Sequence, residues 1–299
     1  MLNGILPEKL SGALEKVGYS SLNEIRLRAD KPVLLQRMGQ KIFLGEKGLT
    51  RILSEAIFPS QSMIEEIIFR ASECSIYSVG EQIKKGYIVT REGVRIGIAG
   101  NVIEDSGIVK TMSGFTSLNI RIPHEIKNCS LKAYNDIVTE NGILNTLIIS
   151  PPGAGKTTFL RDFILQLSER NIAHNILVLD ERGELNINKG LGNYSDVISF
   201  ASKKVGFENG IRSLAPNIIV TDEIGEWEDI EAVKFASNSG VKILASTHSD
   251  CIESFLKKSA FKELIEEKIF SRYVVLSMRE GPGTFEGVFD EDFVRIMRW

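Results

Sequence analysis

The strongest chemical signal lies in residues 147–160 (LIISPPGAGKTTFL), where an apolar stretch precedes small residues and then Gly-Lys-Thr. Gly153 and Gly155 lack a Cβ, so backbone N–H groups can point into one concavity, and a helix beginning there adds its dipole. Such a loop binds phosphate: Lys156 is predicted to reach the β- and γ-phosphates of ATP, and Thr157 to ligate Mg²⁺. The predicted phosphate-binding residues are Ser150, Pro151, Pro152, Gly153, Ala154, Gly155, Lys156, Thr157 and Thr158.

A second signal is residues 216–225 (PNIIVTDEIG), an apolar strand that ends in two adjacent carboxylates. In enzymes with a phosphate-binding loop, such a strand lies beside the strand that leads into the loop. Asp222 is therefore predicted to hold Mg²⁺ through water, and Glu223 to orient and polarise the attacking water. The alternative is a solvated strand end, which the phosphate loop upstream disfavours.

A third strand end carries acidic residues in the segment 176–184 (ILVLDERGE). Asp180 and Glu181 are expected at the same edge of the sheet, where Glu181 is predicted to support catalysis through the metal or the water. Arg182 either senses phosphate or pairs locally. A structural salt bridge is the alternative for this whole group.

A fourth strand end, in residues 243–250 (ILASTHSD), places Thr247 and His248 after the last predicted core strand. A polar group there is positioned to contact the γ-phosphate and report its hydrolysis, so His248 is a predicted catalytic residue. An ordinary capped loop is the alternative.

The elements that must position these residues alternate between strand and helix in the second half of the chain. This alternation predicts a parallel sheet covered by helices on both faces, with ligands at the carboxyl ends of the strands. Residues 129–299 are thus predicted to form an α/β domain, a RecA-like P-loop NTPase. The predicted elements are helices at 130–140, 157–169 and 229–237, and strands at 144–149, 176–179, 218–221 and 241–246.

Residues 1–128 mix short elements and are predicted to form a smaller α+β N-terminal domain. Their apolar patterns favour strands at 21–27 and 32–35 and a helix at 62–71. Residues 86–89 and 94–99 are typical of a hairpin.

Composition limits the remaining classes of function. A chain of 299 residues is long enough for two domains, and its net charge of −3 argues against binding polyphosphate backbones by bulk positive charge alone. Cys74, Cys129 and Cys251 lack metal-ligand spacing and are expected to be thiols in a reducing cytoplasm. No apolar run approaches the ~18 residues that span a bilayer, so we expect a cytoplasmic protein without direct membrane insertion.

The other histidines and the tryptophans support no second chemistry. His124 and His174 stand alone near element ends and are interpreted as structural, and Trp227 and Trp299 as packing anchors. No Ser-His-Asp or Cys-His set is present that would support covalent catalysis.

These segments together resemble the secretion-ATPase branch of P-loop proteins, the hexameric motors of type II and type IV secretion and of pilus assembly. Residues 216–231 and 244–250 resemble that family's Walker B and His-box segments in order and spacing, and residues 176–184 lie where the family has its Asp box. Three N-terminal segments further resemble the stage III sporulation protein AA family of endospore-forming bacteria. They are residues 23–28 (NEIRLR), 93–100 (GVRIGIAG) and 117–122 (SLNIRI).

The resemblance implies an ATPase that works with a membrane-embedded, secretion-like complex during endospore formation. It also implies a homo-oligomer, expected to be a hexamer, in which an arginine of the first domain reaches a neighbour's ATP. Arg95 and Arg121 are the candidates. The sequence departs from the pattern at Ser150, which replaces the first glycine of the phosphate loop, and at Gly225-Glu226, where the pilus motors have Arg-Asp.

Two alternatives to a secretion motor stay open. A nucleic-acid-dependent ATPase would use the same fold, and residues 1–51 have an excess of basic side chains, although no aromatic-plus-basic stretch gives a strong nucleic-acid signal. A nucleotide-switched adaptor would need Lys156 but would tolerate loss of Glu223.

Overall fold

The computed structural model describes residues 2, 4–37, 39–90, 92–122, 126–172, 175–186 and 190–297. The chain divides into two compact units, Met1–His124 and Glu125–Trp299. This division falls a few residues before the domain boundary expected after residue 128. In the described ranges, no helix is both long and apolar enough to cross a membrane.

The first unit is built on a seven-stranded antiparallel sheet. Its strands are β1 (Leu22–Arg28), β2 (Lys31–Arg37), β3 (Gln40–Gly45), β4 (Gly48–Thr50), β5 (Tyr87–Val89), β6 (Arg95–Asp105) and β7 (Ile108–Arg121). They are arranged in the order β4-β3-β2-β1-β7-β6-β5. In β1, Leu22, Ile25 and Leu27 are buried and the residues between them are exposed or partly exposed, as expected for a sheet with one face on the core.

Three helices cover the buried face of this sheet. They are α1 (Glu8–Val17), α2 (Gln61–Ala71) and α3 (Gly80–Lys84), with 3₁₀ turns at Leu53–Glu55 and Ile76–Val79. The α2 helix begins after Ser60, whose hydroxyl accepts the Met63 N–H at 3.2 Å. Its apolar side places Ile64, Ile67 and Ile68 in the core of the first unit.

The second unit is built on a mixed seven-stranded sheet. Its strands are β10 (Thr146–Ser150), β11 (Ile176–Asp180), β12 (Ser195–Ser199), β13 (Ile218–Thr221), β14 (Lys242–His248), β15 (Arg272–Ser277) and β16 (Thr284–Phe289), after a hairpin of β8 (Val138–Thr139) and β9 (Gly142–Ile143). The order is β12-β11-β13-β14-β10-β15-β16, and only β16 runs antiparallel to its neighbour. The carboxyl ends of β10, β11, β13 and β14 therefore meet at one edge.

Helices cover both faces of this second sheet. They are α4 (Leu131–Ile137), α5 (Lys156–Glu169), α6 (Lys203–Leu214), α7 (Trp227–Asn238), α8 (Ile252–Leu256) and α9 (Lys262–Glu266), with a 3₁₀ turn at Ser259–Phe261. On one face, Phe159 and Phe163 of α5 pack in a core with Ile148; on the other, Val233 of α7 packs in a core with Ile149. The central strands are buried on both faces, which explains their unbroken apolar runs.

Several element predictions were wrong or incomplete. The helix expected at 130–140 ends at Ile137, because residues 138–143 form the β8–β9 hairpin, in which Thr139 pairs with Gly142 across the two-residue loop Glu140-Asn141. The strand ending at His248 is not the last, since β15 follows it and pairs with β10. The sequence also did not reveal β3, β4, β7, β12 or α6; β12 (SDVIS) has too few apolar residues to stand out.

Candidate active site

The loop of residues 151–155 connects β10 to α5 at the carboxyl edge of the second sheet. Because β10 lies between β14 and β15, the loop has strand ends on both sides. The strand that leads to Asp222 and Glu223, β13, was expected beside β10; that prediction was wrong, because β14 lies between them. Gly153 and Gly155 have φ values of 76° and 91°, which residues with a Cβ rarely adopt. The Gly283 N–H donates to the Ala154 carbonyl at 3.1 Å and holds the loop. Gly155 immediately precedes α5, so the N–H groups of the first helical turn are available to an anion.

The Lys156 side chain lies against this loop. Its Nζ is 3.5 Å from the Ser150 carbonyl oxygen, 3.4 Å from that of Pro151 and 2.7 Å from Nδ1 of His248. Burial lowers the pKa of Lys156, because a desolvated ammonium group is disfavoured. A phosphate would supply the strong anionic partner that the loop carbonyls do not.

The Glu223 carboxylate is engaged through both of its oxygens. Oε1 is 2.8 Å from Nε2 of His248, and Oε2 forms an ion pair with Arg182. Glu223 has a φ of 39°, uncommon for a residue with a side chain, and its N–H donates to the Ser246 hydroxyl at 3.1 Å. A strained backbone that the surroundings hold in place is frequent at functional sites. The imidazole of His248 thus links the phosphate-loop lysine to this carboxylate.

Asp222 has the chemistry of a cation ligand. It is 2% exposed, and no residue in the described ranges donates a hydrogen bond to its carboxylate. Burial, and next the nearby Asp180 carboxylate, raise the pKa of Asp222 to about 7. The Thr157 hydroxyl, in the first turn of α5, also makes no hydrogen bond within the described residues. Carboxylate and hydroxyl oxygens fit Mg²⁺.

Among the described residues, side chains alone do not provide a complete set of metal ligands. The described part of the chain holds no cluster of three or more His, Cys, Asp or Glu side chains that could bind a metal ion. Mg²⁺ is usually held by one or two protein oxygens together with substrate phosphates and water. Asp222 and Thr157 fit that arrangement.

The acidic residues at the end of β11 have other partners. Both carboxylate oxygens of Asp180 accept backbone N–H groups, from Glu184 at 2.8 Å and from Asn186 at 2.9 Å. The Glu181 carboxylate is 2.7 Å from Nζ of Lys203, which is 6% exposed. Arg182, the next residue along the chain, contacts the predicted catalytic residue Glu223.

Sequence reasoning did not single out three residues that shape this site: Ser246, Lys203 and Lys258. Lys258 donates from its ammonium to the backbone carbonyl of His248. A lone serine or lysine has no pattern that marks it, and Lys203 starts a helix that was not predicted. Thr247 is brought to the same edge, with its hydroxyl buried and without a hydrogen bond to any described residue.

The remaining predicted residues lie elsewhere or were not described. Arg95, on β6 of the first unit, stacks over the Tyr87 ring at 4.3 Å, and Arg121 is exposed at the end of β7. Trp227 is 52% exposed, unlike a packing anchor. His124, His174 and Trp299 lie outside the described residues.

Comparison with known proteins identifies relatives of the whole chain. The family described as Sporulation stage III, protein AA matches residues 2–296. The stage III sporulation protein AA of Bacillus subtilis (strain 168) is 35% identical over 302 residues, which cover 96% of this chain and 94% of that protein.

Two solved structures share the fold at low sequence identity. The X-ray structure of the Legionella pneumophila ATPase DotB matches with a TM-score of 0.60 and 14% identity, over 90% of this chain and 77% of that one. The pilus retraction motor PilT with bound ADP matches with a TM-score of 0.58 and 15% identity, over 89% and 76% of the two chains. The expected RecA-like P-loop domain, preceded by a smaller α+β domain, is confirmed. The chain belongs to the stage III sporulation protein AA family.

Proposed function

We propose that this chain is an ATPase, converting ATP and water to ADP and phosphate, and a motor of the type II/IV secretion ATPase class. The observation that carries the proposal is the unbroken line of contacts from Lys156 through His248 to Glu223, beside a glycine loop at a helix N-terminus. An adaptor that only binds nucleotide would not need a carboxylate and an imidazole in contact at this edge.

Catalysis at this site would come mainly from placement and electrostatics. Lys156 exchanges the loop carbonyls for the β- and γ-phosphates, which draws its ammonium away from His248. Glu223 orients and polarises the attacking water once its oxygens are released from His248 and Arg182. Arg182 and His248 then have nearby phosphate oxygens as new partners, and Glu181 is a second acidic group at the same edge.

Asp222 and Thr157 are the proposed magnesium-binding residues. Mg²⁺ held there would supply positive charge that offsets the negative charge on the phosphate oxygens. The residues of the phosphate-binding loop, Ser150 to Thr158, keep their predicted role in binding ATP. The fold shared with the ATPase DotB and with the pilus retraction motor PilT, solved with bound ADP, supports this use of nucleotide.

We further propose a homo-oligomer, a hexamer, in which Arg95 or Arg121 reaches the ATP of a neighbouring subunit. An arginine supplied in trans contributes roughly 10³-fold or more in rate in other phosphoryl-transfer enzymes. The Bacillus relative's name supports a role in endospore formation, where the motor would power or assemble a membrane-embedded, secretion-like complex from the cytoplasm.

The test of the proposed function is ATP hydrolysis by the purified protein and by Lys156→Ala. We expect no detectable turnover in this variant, because it removes the charge that faces the transferring phosphoryl group. Lys257→Ala, which alters an exposed lysine, is the control and should behave as wild type. Near wild-type turnover in Lys156→Ala would overturn the assignment of the phosphate site.

Two additions to this assay separate the alternatives. Single-stranded DNA should leave the rate unchanged; a large stimulation would favour a nucleic-acid-dependent ATPase. The mass in solution with ATP should be that of a hexamer, whereas a monomer that hydrolyses ATP at full rate would contradict the ring.

A further inference from the structure

The Lys258 side chain is placed unusually for a lysine. It follows α8, is half-buried, and donates from Nζ to the backbone carbonyl of His248. Among the described residues no carboxylate lies within ion-pair distance of its ammonium group. Burial lowers the pKa of Lys258, so the charged form has a desolvation cost that no local anion offsets. Its neighbour Lys257 is exposed, which makes it a matched comparison.

The His248 carbonyl that accepts this hydrogen bond lies beyond the last residue pair between β13 and β14. On its β10 side, β14 stays paired up to Ser150 and His248. On its β13 side, the ladder ends at Thr221 and Ala245, and the Ser246 carbonyl then accepts the Ile224 N–H. Because backbone groups alternate along a strand, the His248 carbonyl points to the same side as that of Ser246, past the end of β13. Lys258 takes the place of the missing strand partner.

The imidazole of His248 needs such support. Its side chain is 40% exposed, so packing alone does not fix the ring. Its two nitrogens contact Lys156 and Glu223, and both of these partners have to move when ATP binds, according to the proposed function. A backbone anchor that does not depend on the nucleotide would hold the ring in place through that exchange.

The segment that carries Lys258 is rigidly packed. Phe255 of α8 is buried with its ring 4.9 Å from that of Phe261 and 5.8 Å from that of Tyr273. The Lys258 N–H donates to the Phe255 carbonyl at 2.9 Å, and its ammonium is 5.8 Å from the Phe261 ring. Packing of these aromatic side chains therefore holds the backbone at Lys258 in place.

We propose that Lys258 is a positioning residue of the ATPase site: it anchors the end of β14, so that the His248 imidazole stands between Lys156 and Glu223. This inference rests on the proposed function. Lys258 acts through His248, so it should affect the chemical step more than the binding of ATP. If Lys258 only stabilised the fold, its substitution would lower the unfolding midpoint without changing turnover by the folded protein.

The first experiment compares ATP hydrolysis by wild type, Lys258→Met and the control Lys257→Met. We expect kcat to fall about 10- to 100-fold in Lys258→Met with KM for ATP little changed, since a displacement of about 1 Å can cost that much. Lys257→Met should match wild type. Lys258→Arg keeps a charged donor and should recover most of the lost rate, and it supplies the comparison if the methionine variant does not fold.

The decisive experiment combines Lys258→Met with His248→Ala. If Lys258 acts through His248, its substitution should have little further effect on kcat once the imidazole is gone. Full additivity of the two losses would overturn the inference, as would equal rates for Lys258→Met and Lys257→Met.

The proposed function fails by a different result. A wild-type protein without ATPase activity would contradict the proposed function, whereas undiminished turnover in His248→Ala would overturn only the inference about Lys258.

Discussion

Two strand ends in the second unit carry the same dipeptide, Asp-Glu, at the same edge of one sheet. Asp180 is the last residue of β11 and Glu181 follows it, whereas Asp222-Glu223 follows the adjacent strand β13. The two aspartates are almost equally buried, at 1% and 2% exposure. Sequence, secondary structure and burial therefore do not distinguish them.

Their partners do. Asp180 is saturated by two backbone N–H groups and Glu181 is paired with the buried Lys203, so the β11 end is a closed structural unit. Asp222 has no hydrogen-bond donor among the described residues, and Glu223 contacts groups that also touch the phosphate loop. A satisfied carboxylate stabilises a loop, whereas a buried carboxylate without a donor is available for a ligand.

Within this comparison, the largest expected effect is that of Glu223→Gln. Glu223→Gln keeps the shape but loses the charge that polarises water, so hydrolysis should slow by about 10²- to 10⁴-fold. Binding of Mg-ATP should be retained, and the product would be a trapped, ATP-loaded oligomer. Single-turnover hydrolysis and nucleotide binding measure both properties. If Glu223→Gln turns over like wild type, the catalytic role moves to Asp222 or Glu181.

The aspartates should differ in their response to Mg²⁺. Asp222→Asn should raise the Mg²⁺ concentration needed for half-maximal turnover by about 10- to 100-fold, as loss of a group that holds a metal through water does. Excess Mg²⁺ should restore part of its rate but none of that of Glu223→Gln. Titration of Mg²⁺ against turnover for both variants is the measurement, and identical curves would contradict this division of roles.

The sequence predicted that the Asp-Glu pairs lie at the carboxyl edge of the second sheet, but it did not predict which side chains they contact. Short apolar runs followed by carboxylates, together with the glycine loop, placed Lys156, Asp222 and Glu223 at one side of a parallel sheet, because parallel strands end together. That much follows from local pattern. The same pattern made Asp180-Glu181 look equivalent, since nothing in a strand's own residues tells which distant side chain will satisfy them.

What separates the two ends comes from residues without a local signal. Lys203 starts a helix whose preceding strand, β12, has few apolar residues, and Lys258 lies in a short connection after α8. Their contacts depend on how the helices pack against the sheet, which is a tertiary property. The first unit shows the same limit: the long β7 strand, rich in Ser, Thr and Gly, has no clear period outside its buried end.

Asp180→Asn tests the structural side of the comparison. An amide offers one acceptor where the carboxylate satisfies two N–H donors, so the free energy of unfolding should fall by about 1–3 kcal/mol. The midpoint of the Mg²⁺ titration should stay near that of wild type. Chemical denaturation and the same titration check both. A shift in Mg²⁺ dependence as large as that of Asp222→Asn would show that both aspartates serve the metal.

The smallest expected effect is that of Glu181→Gln. Lys203 would keep a hydrogen-bond acceptor but lose its closest charge partner, while Asp229 lies farther away, at 3.9 Å. The cost should be about 1 kcal/mol of unfolding free energy, because the ammonium stays buried with weaker compensation. Turnover by the folded variant should stay close to wild type, since no contact joins Glu181 to Lys156, His248 or Glu223 among the described residues. Suppose instead that kcat falls as much in Glu181→Gln as in Glu223→Gln while stability is unchanged. Glu181 would then act in catalysis rather than in an ion pair with Lys203, and it would belong with the catalytic carboxylates.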